Sequence, residues 1–186
     1  MENLNELLSK YQHIVKKIKA NDFIFYLISW DSQTEAPVGC FEERAKQMEF
    51  LSGEHYRFLT SEDTVNTIDQ LYSKRDELDE VLKHEITELK KSNDKTKKIP
   101  IDEYTELTSV LAVSENIWAQ AKENNDFSLF APYLNKIIEL QKKYIKHLET
   151  ENLKGYNVLL DEYEPGMTVE KYDEFFNLLK TELVPF

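Results

Sequence analysis

Apolar residues recur at helical spacing almost from the start of the chain. Leu4, Leu7, Leu8, Tyr11, Ile14, Val15 and Ile18 follow one another at steps of three, four and seven, which places them on one face of a helix. The pattern continues, with a kink expected near Asn21, into Phe23 to Ile28, which is apolar nearly all round. A helix of that kind is stable when enclosed, so this stretch is expected to lie buried in some larger assembly. From Trp30 to Cys40 the periodicity lapses, and Pro37 and Gly39 mark a loop.

Further helices follow at short intervals. Phe41 to Leu59 carries a stripe of Phe41, Ala45, Met48, Leu51 and Phe58. Ser61 reads as the N-cap of a short helix with Val65, Ile68, Leu71 and Tyr72 inside. Asp76 to about Lys91 is the next, and the Lys-rich stretch from Lys90 to Lys98 reads as a solvated helix end and loop. Pro100 suits a first helical position, and the helix after it should reach Lys122, ending at Asn124-Asn125-Asp126. Leu129 to Leu153 forms a long helix entered through Pro132. Tyr156 to Gly166 reads as a short element and a turn at Pro165-Gly166, and Thr168 caps a last helix through Leu178, Leu179 and Leu183. No stretch alternates with period two. The expected fold class is all-α: a multi-helix array of long antiparallel helices, with no internal repeat and no linker dividing the chain.

Composition sharpens this picture. The 186 residues suit one domain. Only four glycines occur, against about thirteen at average usage, which leaves little material for tight turns or Gly-rich phosphate loops. The net charge of −12 argues against nucleic acid as a partner, because that interface needs a surplus of Lys and Arg. A single cysteine, Cys40, excludes an intramolecular disulfide and favours a reducing, cytoplasmic setting. The charged, amphipathic N-terminal segment does not resemble a secretion signal, and no apolar run is long enough to span a membrane.

Few residues are candidates for chemistry. The four histidines, His13, His55, His84 and His147, include no H-E-x-x-H pair, the spacing that sets two imidazoles on one helix face for zinc. His84 and Glu88 share a face, but a solvated polar pair accounts for them. Cys40 precedes a helix start, where a thiol can be activated, yet Glu42 and Glu43 oppose that and an inert role is expected. Adjacent carboxylates such as Asp161-Glu162 are expected by chance in so acidic a chain. The aromatics Phe23, Phe25, Tyr26, Trp30 and Trp118 fit a core better than a ligand-stacking box. Two segments combine distinctive residues with a break in helical patterning: Trp30-Asp31-Ser32-Gln33-Thr34-Glu35-Ala36-Pro37, and Tyr156 through Thr168. Such connections carry binding groups more often than helix bodies do. The plainer alternative is two ordered helix connections, with Trp30 as an anchor and Thr168 as a cap.

At these residues the sequence resembles the thermostable, Taq-type zinc metallocarboxypeptidases. That family has W-D-x-x-T-x-x-P followed by E-x-R-x-x-Q, here Trp30, Asp31, Thr34 and Pro37, then Glu42, Arg44 and Gln47. Its tryptophan helix, N-D-F loop and following proline look like Trp118, Asn125-Asp126-Phe127 and Pro132. The segment Y-x-x-L-L-D-x-Y-E-P-G-M-T matches Tyr156 to Thr168, and Glu182-Leu183-Val184-Pro185 also fits. Departures are Val38 for a second proline, Cys40 for a small residue and Asn157 for an aspartate.

The resemblance implies an N-terminal part of a larger all-helical peptidase that removes C-terminal residues from peptides. It further implies a divalent metal, zinc or cobalt, held beyond this region, and a cytoplasmic homodimer with no membrane partner. No catalytic or metal-binding residue carries over. Trp30, Asp31, Thr34, Arg44, Gln47, Tyr156, Asp161 and Glu164 are the expected substrate-groove or loop-positioning residues, and the whole of 1–186 is expected to form a groove wall or lid that is inactive alone. Two other readings stand beside this one: a helical interaction module or decayed peptidase relic, and part of a related helical oligoendopeptidase.

Overall fold

The structure, a computed structural model, describes residues 3–186, the Val38 side chain excepted. Among the described residues there are eight α-helices, two 3-10 turns and no strand. They form two compact units, Met1–Ile138 and Glu139–Phe186.

The first unit opens with α1 (Leu4–Thr34). Asn3 starts it with a capping box: the Glu6 amide donates to Asn3 Oδ1 at 2.9 Å, and the Asn3 amide donates to the Glu6 carboxylate at 3.2 Å. The apolar stripe foreseen for this helix is the core stripe. Leu7 and Tyr11 pack with Leu71 of α3 (Glu62–Ser73) and Ile86 of α4 (Glu80–Thr96), with Leu4, Leu8 and Val15 around them. A second interface pairs α2 (Phe41–Leu59) with α5 (Ile101–Glu123). Gly53 lies at this interface, where a Cβ would stand 3.4 Å from Thr105 Cγ2, at ordinary contact. Tyr56 donates to the Ile99 carbonyl at 2.7 Å, and its ring meets that of Tyr104 at 5.3 Å.

Several expectations from the sequence need correction. The segment from Trp30 onward is not a loop. α1 runs unbroken past Asn21 and through Thr34, and ends only as Pro37 approaches, where the preceding residue is pushed out of helical geometry. Apolar periodicity lapses there because the inward face becomes polar, not because the helix stops. α4 starts at Glu80, not Asp76, because Asp79 accepts from the amides of Val81 and Leu82, both at 3.0 Å, while Arg75–Glu77 forms a 3-10 turn. The helix then runs to Thr96, and only one side of the Lys-rich stretch is packed, while Lys91, Ser92, Lys97 and Lys98 are exposed. In it Lys90 pairs with Asp94 and Asp69, and buried Asn93 donates to the Leu59 carbonyl at 2.7 Å. α6 (Phe127–Leu148) begins earlier than expected, with the Ser128 amide donating to Asp126 at 3.0 Å, and it stops before Leu153.

The apolar stretch at residues 23–28 is buried on one side only. Phe25 meets the His55 ring edge-on at 6.3 Å, while Phe23 is 63% exposed and Tyr26 66% exposed.

The second unit contains α7 (Tyr156–Tyr163) and α8 (Val169–Glu182). Their connection is tightly bonded. The Gly166 amide donates to Asp161 Oδ1 at 2.8 Å, and Lys171 Nζ donates to the Gly166 carbonyl at 2.8 Å. The Val169 amide donates to Asn157 Oδ1 at 2.9 Å, and Thr168 caps α8 through the Lys171 amide. Gly166 has φ 83°, a left-handed conformation that strains any residue with a Cβ. No described residue of α8 is buried.

Candidate functional site

The last two turns of α1 face α2 and α5. Arg44 of α2 divides its guanidinium between two partners on α1: one nitrogen pairs with the Asp31 carboxylate, and the other donates to Ser32 Oγ at 3.0 Å. The planar fork of donors suits two neighbouring acceptors held at fixed geometry. The hydrogen-bonded contact with Asp31 raises the Arg44 pKa above the ordinary guanidinium value. On the α5 side, Gln33 Nε2 donates to Glu115 Oε1 at 2.8 Å. The helix end is therefore tied to both neighbours by side chains that the sequence offers as a run of small polar residues.

Two depressions flank this polar knot. One, of about 290 Å³, lies among α1, α2 and α5, with Ile28, Phe41, Met48 and Leu111 as apolar lining and Ser32 and Glu115 among its polar groups. The other, of about 480 Å³, is lined by Leu27, Ile28, Trp30, Asp31, Arg44 and Gln47. Of the eight residues singled out from the sequence, the structure brings Trp30, Asp31, Arg44 and Gln47 together on this second groove. Thr34 is not on it: its hydroxyl donates to the Trp30 carbonyl one turn back, at 2.9 Å. Gln47 also bonds locally, to Glu43 at 3.1 Å. Tyr156, Asp161 and Glu164 belong to the other unit, where Asp161 holds the α7–α8 corner and Tyr156 is exposed. The Glu164 carbonyl accepts from the Met167 amide at 3.0 Å.

Ser32 and Glu115 line the smaller depression and Gln33 ties the end of α1 to Glu115, and none of the three was among the eight residues singled out. Their signal was the polar run itself, once it is placed on a helix and not in a loop. His55 was also passed over. It is buried in α2, its Nδ1 has no hydrogen-bond partner among the described residues, and desolvation lowers its pKa against the opposing pull of Asp22. Burial raises the pKa of Tyr104 in the same region.

No group of three or more His, Cys, Asp or Glu side chains able to hold a metal occurs among the described residues. His84 and Glu88 line an open groove between α1 and α4, where the neighbouring Glu85 accepts from Tyr11 at 2.7 Å. Among the described residues no helix is long and apolar enough to cross a membrane.

The family model for Carboxypeptidase Taq (M32) metallopeptidases matches residues 10–186. The chain belongs to that family. Carboxypeptidase 1 of Bacillus subtilis (strain 168) is 37% identical over 172 residues, covering 92% of this chain and 34% of that protein. Thermostable carboxypeptidase 1 of Pyrococcus furiosus is 27% identical over 184 residues, covering 99% of this chain and 36% of that protein. A solved structure described as the BsuCP crystal structure superposes with TM-score 0.91 at 35% identity, over 97% of this chain and 36% of that one. The M32 chain thus spans about a third of the length of the relatives it matches. Membership makes metallopeptidase chemistry the family context of these helices, and the M32 relatives share the all-α architecture seen here.

Proposed function

We propose that this chain is the N-terminal helical wall of the substrate groove in an M32 carboxypeptidase that removes C-terminal residues from peptides. The observation that carries the reading is the match itself: nearly the whole chain corresponds to about a third of a carboxypeptidase. A divalent metal, zinc or cobalt, would supply Lewis-acid activation of water and would be held by residues outside this chain. The surface carrying Trp30, Asp31, Arg44 and Gln47 borders the groove, with Asp31 and Arg44 as positioning residues that fix the end of α1. A soluble cytoplasmic homodimer acting on peptides completes the reading.

Two measurements test it. The chain alone, incubated with zinc or cobalt and a blocked dipeptide, should give no turnover; turnover abolished by a chelator would overturn the division of labour. In a whole M32 enzyme containing these residues, Asp31→Ala should lower kcat/KM while Asp31→Asn, which keeps an acceptor for Arg44, retains more of it. Equal kcat/KM and equal thermal stability in wild type and Asp31→Ala would remove Asp31 from the groove.

A further inference from the structure

An open groove of about 790 Å³ runs between α1 and α4. Val15 and Ile18 of α1 and Leu89 of α4 give it an apolar lining. Tyr11 stands at one end, where its hydroxyl donates to the Glu85 carboxylate at 2.7 Å. That bond holds Glu85 in place and leaves its other oxygen as an acceptor. Glu88 lines the same α4 side. On the opposite bank Lys16 and Lys19 lie about 7 and 12 Å beyond Tyr11 along the helix axis. Lys16, Lys19 and Glu88 are exposed, and none forms an ion pair with a described residue. The groove thus carries an acidic bank and a basic bank that do not neutralise each other. None of these residues lines the groove of Trp30 and Asp31.

A ligand that meets both banks carries a cation and an anion several ångströms apart, with apolar groups between them. A free amino acid holds both charges on one Cα and cannot reach the two banks. An extended chain advances ~3.3–3.6 Å per residue, so the free ends of a peptide of about three residues have the required separation. We propose that this groove binds short apolar peptides with both ends free, the α-ammonium against Glu85 and Glu88 and the α-carboxylate between Lys16 and Lys19. Asp22 lines the groove one turn beyond Lys19 and, by like-charge repulsion, keeps the carboxylate short of that end. The peptide's side chains cover Val15, Ile18 and Leu89, which removes apolar surface from water. Such peptides are the shortened products of the activity proposed above, but the charge pattern of the site does not depend on that activity.

The test titrates the 186-residue chain with trileucine near neutral pH and follows backbone amide shifts by two-dimensional NMR. Residues 15–19 and 85–89 should shift together and saturate with a Kd of order 1 mM, as befits a few exposed charge contacts over a small apolar area. N-acetyl-trileucine and trileucine amide each lack one terminal charge and should each bind about fivefold more weakly. The double variant Lys16→Gln/Lys19→Gln should bind trileucine about fivefold more weakly than wild type does. It should bind the amide as well as wild type does, because the charge that the lysines recognise is already gone.

Equal affinity for trileucine and both capped forms overturns the proposal. So does the absence of shifts at ~10 mM peptide, well above the expected Kd. Shifts that centre on Trp30 and Gln47 and vanish in Arg44→Ala place the peptide in the other groove, which overturns this site and leaves the proposed function standing. The predicted titration, found beside a whole M32 enzyme with these residues that shows no turnover, supports the site and fails only the proposed function.

Discussion

His55 sits where a charge is unwelcome. It is buried beside Phe25, its Nδ1 lacks a partner among the described residues, and desolvation holds its pKa below the ordinary imidazole value. The unfolded chain takes up a proton as the pH falls through about 6.5, and the folded chain does not follow until lower pH. Stability is therefore complete above that value and declines as the pH drops below it. Wild type should lose more stability than His55→Leu between about pH 7 and about pH 5, read from urea midpoints. A parallel pH dependence in the two proteins would mean that His55 titrates freely. Gly53 makes a second prediction. Its Cβ position lies at ordinary contact distance from Thr105, so Gly53→Ala should fit and should raise stability by about 0.5–1 kcal/mol through helix propensity. A larger side chain would drive α2 from α5. Arg44 makes a third. Lysine has one ammonium in place of two forked nitrogens, so Arg44→Lys should lose the Ser32 contact. It should behave in thermal unfolding more like Arg44→Ala than like wild type, and the effect should stay near ~1 kcal/mol because both partners are partly exposed.

At the scale of elements, most helices were legible because caps and stripes agree. Asn3, Ser61 and Thr168 all cap the helices that follow them. Apolar periodicity misleads where a helix buries a polar face. The end of α1 faces Arg44 and Glu115, and the end of α4 offers Lys90 and Asn93 to neighbouring helices. Both stretches look like loops when only apolar spacing is counted, because the partners that satisfy them are distant in sequence. Asn93 tests the point. It holds the carbonyl of Leu59, one of the acceptors left over at the C-terminal end of α2. Asn93→Ala should destabilise by about 1–2 kcal/mol, and Asn93→Leu should not recover the loss, because the half-buried carbonyl stays unmet beneath an apolar side chain. If Asn93→Leu were as stable as wild type, that hydrogen bond would have no net worth. The specific string of α7 and α8 is explained at this scale too: Asp161, Gly166, Asn157 and Thr168 are the bonded parts of a helix corner. Four of the eight site candidates lie on one groove and three others in this separate unit, a division that spacing along the chain does not reveal.

For the whole molecule, length was the misleading quantity. A chain of 186 residues looks like a complete domain, yet it matches about a third of its M32 relatives. Along α1, Phe23, Tyr26, Leu27 and Trp30 are about half exposed or more. α8 repeats the observation: Phe175, Phe176, Leu178 and Leu183 are exposed, and no described residue of that helix is buried. Motifs identified the family, and no group of three or more His, Cys, Asp or Glu side chains able to hold a metal occurs among the described residues. The central claim is that these helices complete a metallocarboxypeptidase whose chemistry is held elsewhere. The most direct measurement is hydrolysis of a blocked dipeptide by a fusion of this chain with the unmatched part of B. subtilis carboxypeptidase 1, with and without a chelator. The account predicts chelator-sensitive release of the C-terminal residue by the fusion and none by the 186-residue chain. A folded fusion with no turnover, or turnover by the chain alone, would contradict it.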